Sequence, residues 1–351
     1  MKKLPRFTFA VTSIALATCG LILAVGGLPT AVRLVAQEKD AAKSAEPSPP
    51  VKAGPTAPEP VASKPSQAEA DAAAAGAALL KKSRDALISF GSIKADIREV
   101  VAIGGRRVET TGTYLQGTNL KLRLEFAVRL GDQEGALSGS VLQVCNGHTL
   151  WTVQQIGDPN TEKPTITRRN VREILAAAKE SAAASENMLI AELGLGGLPA
   201  ILASLEQSMV FRSVQKEDVR GKVLTVVEGT WKPEKREQFL KQLNTGQKEK
   251  TDRLPTHIPD SVQVYLDPEN GLFPRRIVYR KQDATRDFTR PMVTIAFAEI
   301  VLNGPVDEQA FEFVAPEGVP QDDITARYTD NLRPRSSPQA PSTGSGATTI
   351  E

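Results

Sequence analysis

Over residues 120–128 apolar and charged side chains alternate almost one for one. Leu122, Leu124, Phe126 and Val128 fall on one side, with Lys121, Arg123, Glu125 and Arg129 on the other. Successive side chains of a strand point to opposite faces, so this period of two describes a sheet with one apolar and one wet face. Such a sheet is the mark of antiparallel pairing, because parallel sheets are covered on both sides and read as continuous apolar runs.

The neighbouring segments extend the pattern. Ile93, Ala95 and Ile97 alternate with Lys94, Asp96 and Arg98, and Gly104-Gly105 supplies a hairpin turn before a strand over 108–115. A Gly-rich turn near 131–139 precedes apolar residues 141–145. Asn146-Gly147 then joins these to a strand over 149–156, and Asn-Gly between two apolar runs is a strong hairpin signal. The period next becomes helical: Val171, Ile174, Leu175 and Ala178 share one face, with Asn170 placed as a cap. A second helical stretch over 185–193 is interrupted by Gly194, Gly196 and Gly197. Pro199 opens a third helix carrying Ile201, Leu202 and Leu205. Strands resume at 209–214, 223–231, 262–266, 276–281 and 292–302, and a short segment Phe311-Glu312-Phe313 follows. A charged insertion between Trp231 and Pro259 is helical over 233–243. The expected fold is mainly β with an α lid (α+β): an incomplete, strongly curved antiparallel β-barrel with the mid-chain helices over its open side.

The two ends differ in composition from this middle. Lys2, Lys3 and Arg6 precede an apolar run over residues 7–28, the arrangement of an export or membrane-insertion segment. Three fates are open: cleavage after Ala36, retention as an anchor, or acylation of Cys19 within Leu16-Ala17-Thr18-Cys19. Each places the remainder outside the cytoplasm, in the periplasm or cell envelope. Residues 37–78, rich in Ala and Pro, read as a disordered linker, and 329–351 as a disordered tail. One folded domain is expected over 79–328. With Cys19 in the leading segment, Cys145 is the one other cysteine. No disulfide is expected, and its apolar surroundings make it a buried structural thiol.

Little in the chain resembles catalytic machinery. His148 falls in the Asn-Gly turn and His257 between Pro255 and Pro259, and two separated histidines with one cysteine make no metal site. Gly194-Leu195-Gly196-Gly197 lacks the Lys-Ser/Thr and preceding strand of a phosphate loop, and Ser138-Gly139-Ser140 sits in a turn, not a nucleophile elbow. The acidic pairs Asp322-Asp323 and Glu217-Asp218 read as solvated turns. A net charge of +2 gives no nucleic-acid footprint. No enzyme activity, cofactor or metal is expected. Arg275, Arg276, Arg280, Lys281, Arg286 and Arg290 gather on one hairpin, with Asp283 and Asp287 as counter-charges. They read either as a solvated hairpin or as a surface for anionic headgroups.

Four segments together resemble the periplasmic outer-membrane lipoprotein carriers of the LolA/LolB type. Ile93-Lys-Ala-Asp-Ile97 is similar to their first strand, and Thr111–Leu115 with Leu122–Phe126 to the second and third. Val144-Cys-Asn-Gly-His-Thr-Leu-Trp151 resembles their central hairpin, and Phe311-Glu-Phe-Val-Ala-Pro-Glu-Gly-Val319 their closing signature. The likeness spans residues 85–325. It implies an unclosed barrel whose helical lid covers an apolar cavity for acyl chains. The carriers' lid-latching Arg-Pro after the second strand is replaced here by Gln116-Gly117-Thr118.

On that resemblance the candidate cavity lining is Leu122, Leu124, Phe126, Trp151, Val264, Ile277, Ile295 and Phe297 from strands. Ile174, Leu189, Leu193 and Ile201 are the candidates from helices. Periodicity alone does not separate a cavity from a filled core. The expected function is a cell-envelope binder or carrier of lipids or lipoproteins. Its partners would be lipid acyl chains or acylated proteins, with membrane contact and no nucleic acid. The alternative is a membrane-anchored sensor or scaffold module that binds a protein partner.

Overall fold

The computed structural model describes residues 67–103, 106–130, 138–157, 162–181, 190, 193–245, 251–283 and 288–332. The leading segment, most of the linker and most of the tail therefore lie outside the described residues, as do Gly104-Gly105, Leu189 and Arg286. Among the described residues no helix is long and apolar enough to cross a membrane.

Helix α1 (Gln67–Ser89) leads into the domain. It begins at Gln67, inside the stretch expected to be linker. The last proline of that stretch is Pro65, and the Ala-rich run after it has the highest intrinsic helix propensity of any composition. Strands β1 (Ser92–Ile103), β2 (Arg106–Gly117), β3 (Lys121–Leu130), β4 (Ser138–Asn146), β5 (Thr149–Ile156) and β6 (Thr165–Asn170) then form an antiparallel meander. Helix α2 (Val171–Ser181) follows directly, with the Asn170 side chain accepting from Glu173 N at 3.1 Å, the cap that the sequence led us to expect. After α3 (Gly197–Ser208) the chain makes a second meander. It comprises β7 (Met209–Val219), β8 (Lys222–Trp231), helix α4 (Pro233–Asn244), β9 (Ser261–Asp267), β10 (Phe273–Gln282) and β11 (Thr289–Leu302).

The two meanders join where β11 pairs with β1, and with a last short strand, β12 (Gln321–Asp323), they make one sheet in the order β12-β6-β5-β4-β3-β2-β1-β11-β10-β9-β8-β7. Its edges, β7 and β12, do not meet, so the barrel is incomplete as expected. Irregular register in β7, β10 and β11 marks bulges, which bend strands and support such curvature. Helices α1, α2 and α3 cover the inner face, and one continuous apolar core runs between them and the sheet.

The C-terminal region departs from expectation. The segment 311–313 is not a strand; a 3-10 turn, Glu308–Phe311, forms because the Asp307 side chain accepts from Gln309 N at 3.0 Å. This turn lies against the outer side of β3 and β4, with Phe311 buried. Strand β12 (Gln321–Asp323) then adds to β6 in parallel, and α5 (Thr325–Leu332) packs on α2, past the domain end expected at 328. Asp323 accepts from Thr325 N at 3.0 Å, and that bond with the Thr325 side chain holds its carboxyl below the usual range.

Cys145 is fully buried, and burial pushes its thiol up to about 11 despite a bond from Gly147 N. It is a structural thiol, as its apolar neighbours led us to expect.

Candidate functional site

Under the start of α3 the inner face of the sheet leaves a small apolar cavity of about 40 Å³. Its sheet wall is Ile97, Glu99, Tyr114, Leu124, Phe126, Ile295 and Phe297; its roof is Gly194, Gly196, Gly197, Leu198, Ala200 and Ile201. The register explains how residues so distant in sequence meet. Phe297 pairs with Ile97 across β1 and β11, and Ile97 lies opposite Gly112, which in turn lies opposite Phe126. Phe297 also meets Tyr114 and Phe273 edge-on, with ring centroids 6.1 and 5.7 Å apart.

The roof is held to the sheet by uncharged groups. The Tyr114 hydroxyl donates to Gln116 Oε1 and accepts from Leu198 N at 3.3 Å. Gln143, buried on β4, donates from Nε2 to the Leu193 carbonyl at 3.3 Å. The contact that Gln116 makes with Tyr114 is neutral. Gly197 has φ +53°, and a Cβ there would sit 2.6 Å from Gln116 Oε1, so the tight seat requires glycine. The far end of α3 is fixed differently: Glu206 pairs with Arg84 of α1, and its backbone carbonyl accepts from Lys232 Nζ at 2.9 Å. Burial raises the Glu206 carboxyl above its ordinary value, and the Arg84 charge opposes that rise. One end of α3 is therefore anchored by charge and the other by weak neutral bonds. Replacing Tyr114 by Phe removes the acceptor for Leu198 N, at a cost of about 1 kcal/mol. Hydrogen exchange at the Leu198 amide should then quicken about fivefold.

Five of the expected residues line this space: Leu124, Phe126, Ile201, Ile295 and Phe297. Leu122, Ile174, Leu193, Val264 and Ile277 are buried in the surrounding core but do not reach it. Leu189 lies outside the described residues. Trp151 is placed elsewhere. Leu150 and Thr152 take the inward positions of β5, and the Trp151 ring packs against Phe313, centroids 6.0 Å apart, on the outer face.

Two polar lining groups escaped the sequence reading. Tyr114 lies inward on β2, and Glu99, only 5 % exposed, follows Ile93, Ala95 and Ile97 on the inward parity of β1. Counting by two beyond Ile97 reaches Glu99, which sets a carboxylate in an otherwise apolar wall.

The basic hairpin resolves into separate structural roles. Arg275 pairs with buried Asp267, and Arg276 lies over the Tyr265 ring at 5.6 Å. Arg280 donates to Gln263 Oε1 at 3.0 Å and the Thr289 carbonyl at 3.1 Å. Lys281 donates to the Leu254 and Ile258 carbonyls and to Asp260 Oδ1. These cations hold the hairpin to its neighbours and do not form an open anion surface. His257 is half-buried, and burial followed by the Lys281 charge lowers its pKa; His148 is exposed in its turn. No three His, Cys, Asp or Glu residues gather to hold a metal among the described residues.

No protein-family model matches the chain, and none of the curated proteins matches it. Several solved structures are similar in outline. LprF from Mycobacterium bovis matches with 13% identity over 67% of this chain and 95% of its own, TM-score 0.36. Lipoprotein LppX from Mycobacterium tuberculosis matches with 14% identity over 67% and 98%, TM-score 0.32. The Pseudomonas aeruginosa MucA/MucB complex matches with 10% identity over 67% of this chain and 60% of that one, TM-score 0.33. Similarity at this level assigns neither a family nor a ligand; the architecture rests on the strand pairing described above, an unclosed antiparallel sheet under a helical lid.

Proposed function

We propose that this chain is a cell-envelope binding or carrier protein for lipids or acylated proteins, taking an acyl chain between its sheet and α3. The observation that carries this reading is the cavity beneath a roof fastened by neutral hydrogen bonds. At about 40 Å³ it exceeds only slightly one water's share of liquid volume, about 30 Å³. Sites for lipid-sized ligands run to roughly 300–1,000 Å³. On this reading the described state is closed, and the ligand enters as the start of α3 lifts from Tyr114 and Gln143. The charged anchor at Glu206 keeps the other end in place. Each methylene buried would contribute about 0.8 kcal/mol. A chain of a dozen such groups then outweighs the two neutral hydrogen bonds, about 1 kcal/mol each, that fasten the roof.

Native mass spectrometry of the full chain, purified from its own envelope in mild detergent, tests this. A lipid-sized mass adduct is expected on the native chain. Replacing Ile201 with Trp fills the cavity from the roof and should abolish the adduct, while circular dichroism stays unchanged. A native chain that arrives empty, or an I201W chain that keeps its adduct, would sink the reading.

A further inference from the structure

The end of the sheet that carries the β2–β3 and β4–β5 turns holds a second concavity, separate from the one under α3. Helix α2 starts against it, with Val171 N donating to the His148 carbonyl at 2.8 Å. Between the helix and the two turns lies an open cleft of about 640 Å³, within the usual range for small-ligand sites. Its walls bring together Lys121 from the start of β3, Arg172 and Lys179 from α2, and His148 from the turn. Its remaining surface includes Leu120, Leu175 and Ala176, and no acidic side chain among the described residues lines it.

This juxtaposition follows from local chemistry. Arg172 and Lys179 are seven apart on α2, so they share a face, with Leu175 and Ala176 between them. Both turns are held in strained or glycine-only conformations. Asn119 and Leu120 have φ of 56° and 63°, and a Cβ on Gly147 (φ 91°) would lie 2.7 Å from the Asn119 carbonyl oxygen. The two turns approach each other closely at Gly147 and Asn119. Acids stand nearby on α2 itself, Glu173 and Glu180, and on the C-terminal segment. Glu308 pairs with Lys121, and Glu312 accepts from Asn146 Nδ2 at 3.1 Å.

We propose that this cleft binds the phosphate-bearing headgroup of an anionic lipid. Arg172 and Lys179 would grip the phosphate oxygens, and Leu175, Ala176 and Leu120 would receive the first apolar atoms below it. Guanidinium and ammonium donors match phosphate oxygens, and the guanidinium does so through two parallel bonds. A free phosphate would use the cationic wall and leave the apolar surface idle. An amphiphile uses both. The proposal deepens the lipid reading above and takes from it only the class of ligand, since the cleft and the cavity share no lining residue.

Titration calorimetry of the full chain in neutral detergent tests it, with dihexanoyl phosphatidylglycerol, dihexanoyl phosphatidylcholine and glycerol 3-phosphate as probes. The anionic lipid should bind at least tenfold more tightly than either of the others. In R172Q/K179Q its affinity should fall by on the order of tenfold or more. In K222Q/K235Q, which loses the same charge from exposed positions on β8 and α4, it should stay within twofold. An equal fall in both double variants would reduce the effect to net charge and overturn the proposal, as would no binding of the anionic lipid. Glycerol 3-phosphate binding as tightly as the lipid would assign the cleft to free phosphates and overturn the lipid headgroup. R172Q/K179Q should keep its acyl adduct in native mass spectrometry and I201W should keep headgroup binding, so either site can fail without the other.

Discussion

Replacing Asp267 by Ala should lower the stability of the domain by about 3–5 kcal/mol, the usual cost of removing one partner from a buried ion pair. Asp267 is 2 % exposed at the end of β9, and its carboxylate is fully engaged. It pairs with Arg275, accepts from Glu269 N at 3.0 Å and from Asn270 Nδ2 at 2.8 Å. It thereby caps the 3-10 turn Pro268–Asn270 that reverses the chain into β10, and Gly271 and Leu272 follow with φ of 63° and 60°. Without the carboxylate, the Arg275 charge and two donors lose their partner together. Chemical denaturation followed by circular dichroism would measure the loss, and a change under 1 kcal/mol would show that the turn forms without its cap.

The same group sets a pH dependence with a definite sign. Burial by itself pushes the Asp267 carboxyl up, but the bonds from Arg275 and Asn270, the Arg275 charge and the Glu269 amide together hold it below its ordinary 3.8. A carboxyl depressed in the folded state contributes stability in full above its unfolded value. That contribution is lost as pH falls through the folded value. The native chain and D267A should therefore differ by a constant amount near neutrality and converge below about pH 3.8. A gap that held constant down to pH 2 would show that the carboxylate's charge is immaterial.

Gly112 to Ala should be nearly as damaging, at about 3 kcal/mol, the upper part of the usual range for overpacking. Gly112 lies mid-strand in β2, where glycine otherwise weakens a sheet, so its presence needs a steric reason. A Cβ there would collide with the Glu125 carbonyl oxygen and stand 2.7 Å from its carbon and 3.0 Å from Phe126 Cα. These are backbone atoms of the paired strand and have no rotamer by which to move aside. The β2–β3 ladder would have to part beside Phe126, a cavity-lining residue. The thermal midpoint should drop by roughly 6–12 °C, at ~2–4 °C per kcal/mol for a domain of this size.

Much of the architecture is legible in the residues because periodicity is a local property. Leu122 to Val128 alternate in the sequence, and β3 alternates in space; Val171, Ile174 and Ala178 recur at helical spacing, and α2 buries them. Asn146-Gly147 and Asn170 mark a turn and a cap through bonds made within a few residues. Short edge elements were less legible. Thr165–Asn170 carries one buried apolar side chain, Ile166, and Gln321–Asp323 carries none, so β6 and β12 owe their form to the strand beside them.

Local patterning is enough to specify the fold class, the antiparallel pairing, the helical interruption and the set of apolar side chains that must be buried. Which of those side chains border a space and which fill the core depends on how the whole molecule packs. Parity assigns the residues of a strand to two faces but does not name the inner one. In β5, packing of α2 against the strand put Leu150 inside and left Trp151 to Phe313, although the larger ring would gain more from burial. Likewise Tyr114, Gln143 and Leu198 share no local pattern. They meet because β1 closes on β11 and the chain must cross the sheet to reach β7, and contacts at that sequence separation are set by packing of the whole molecule.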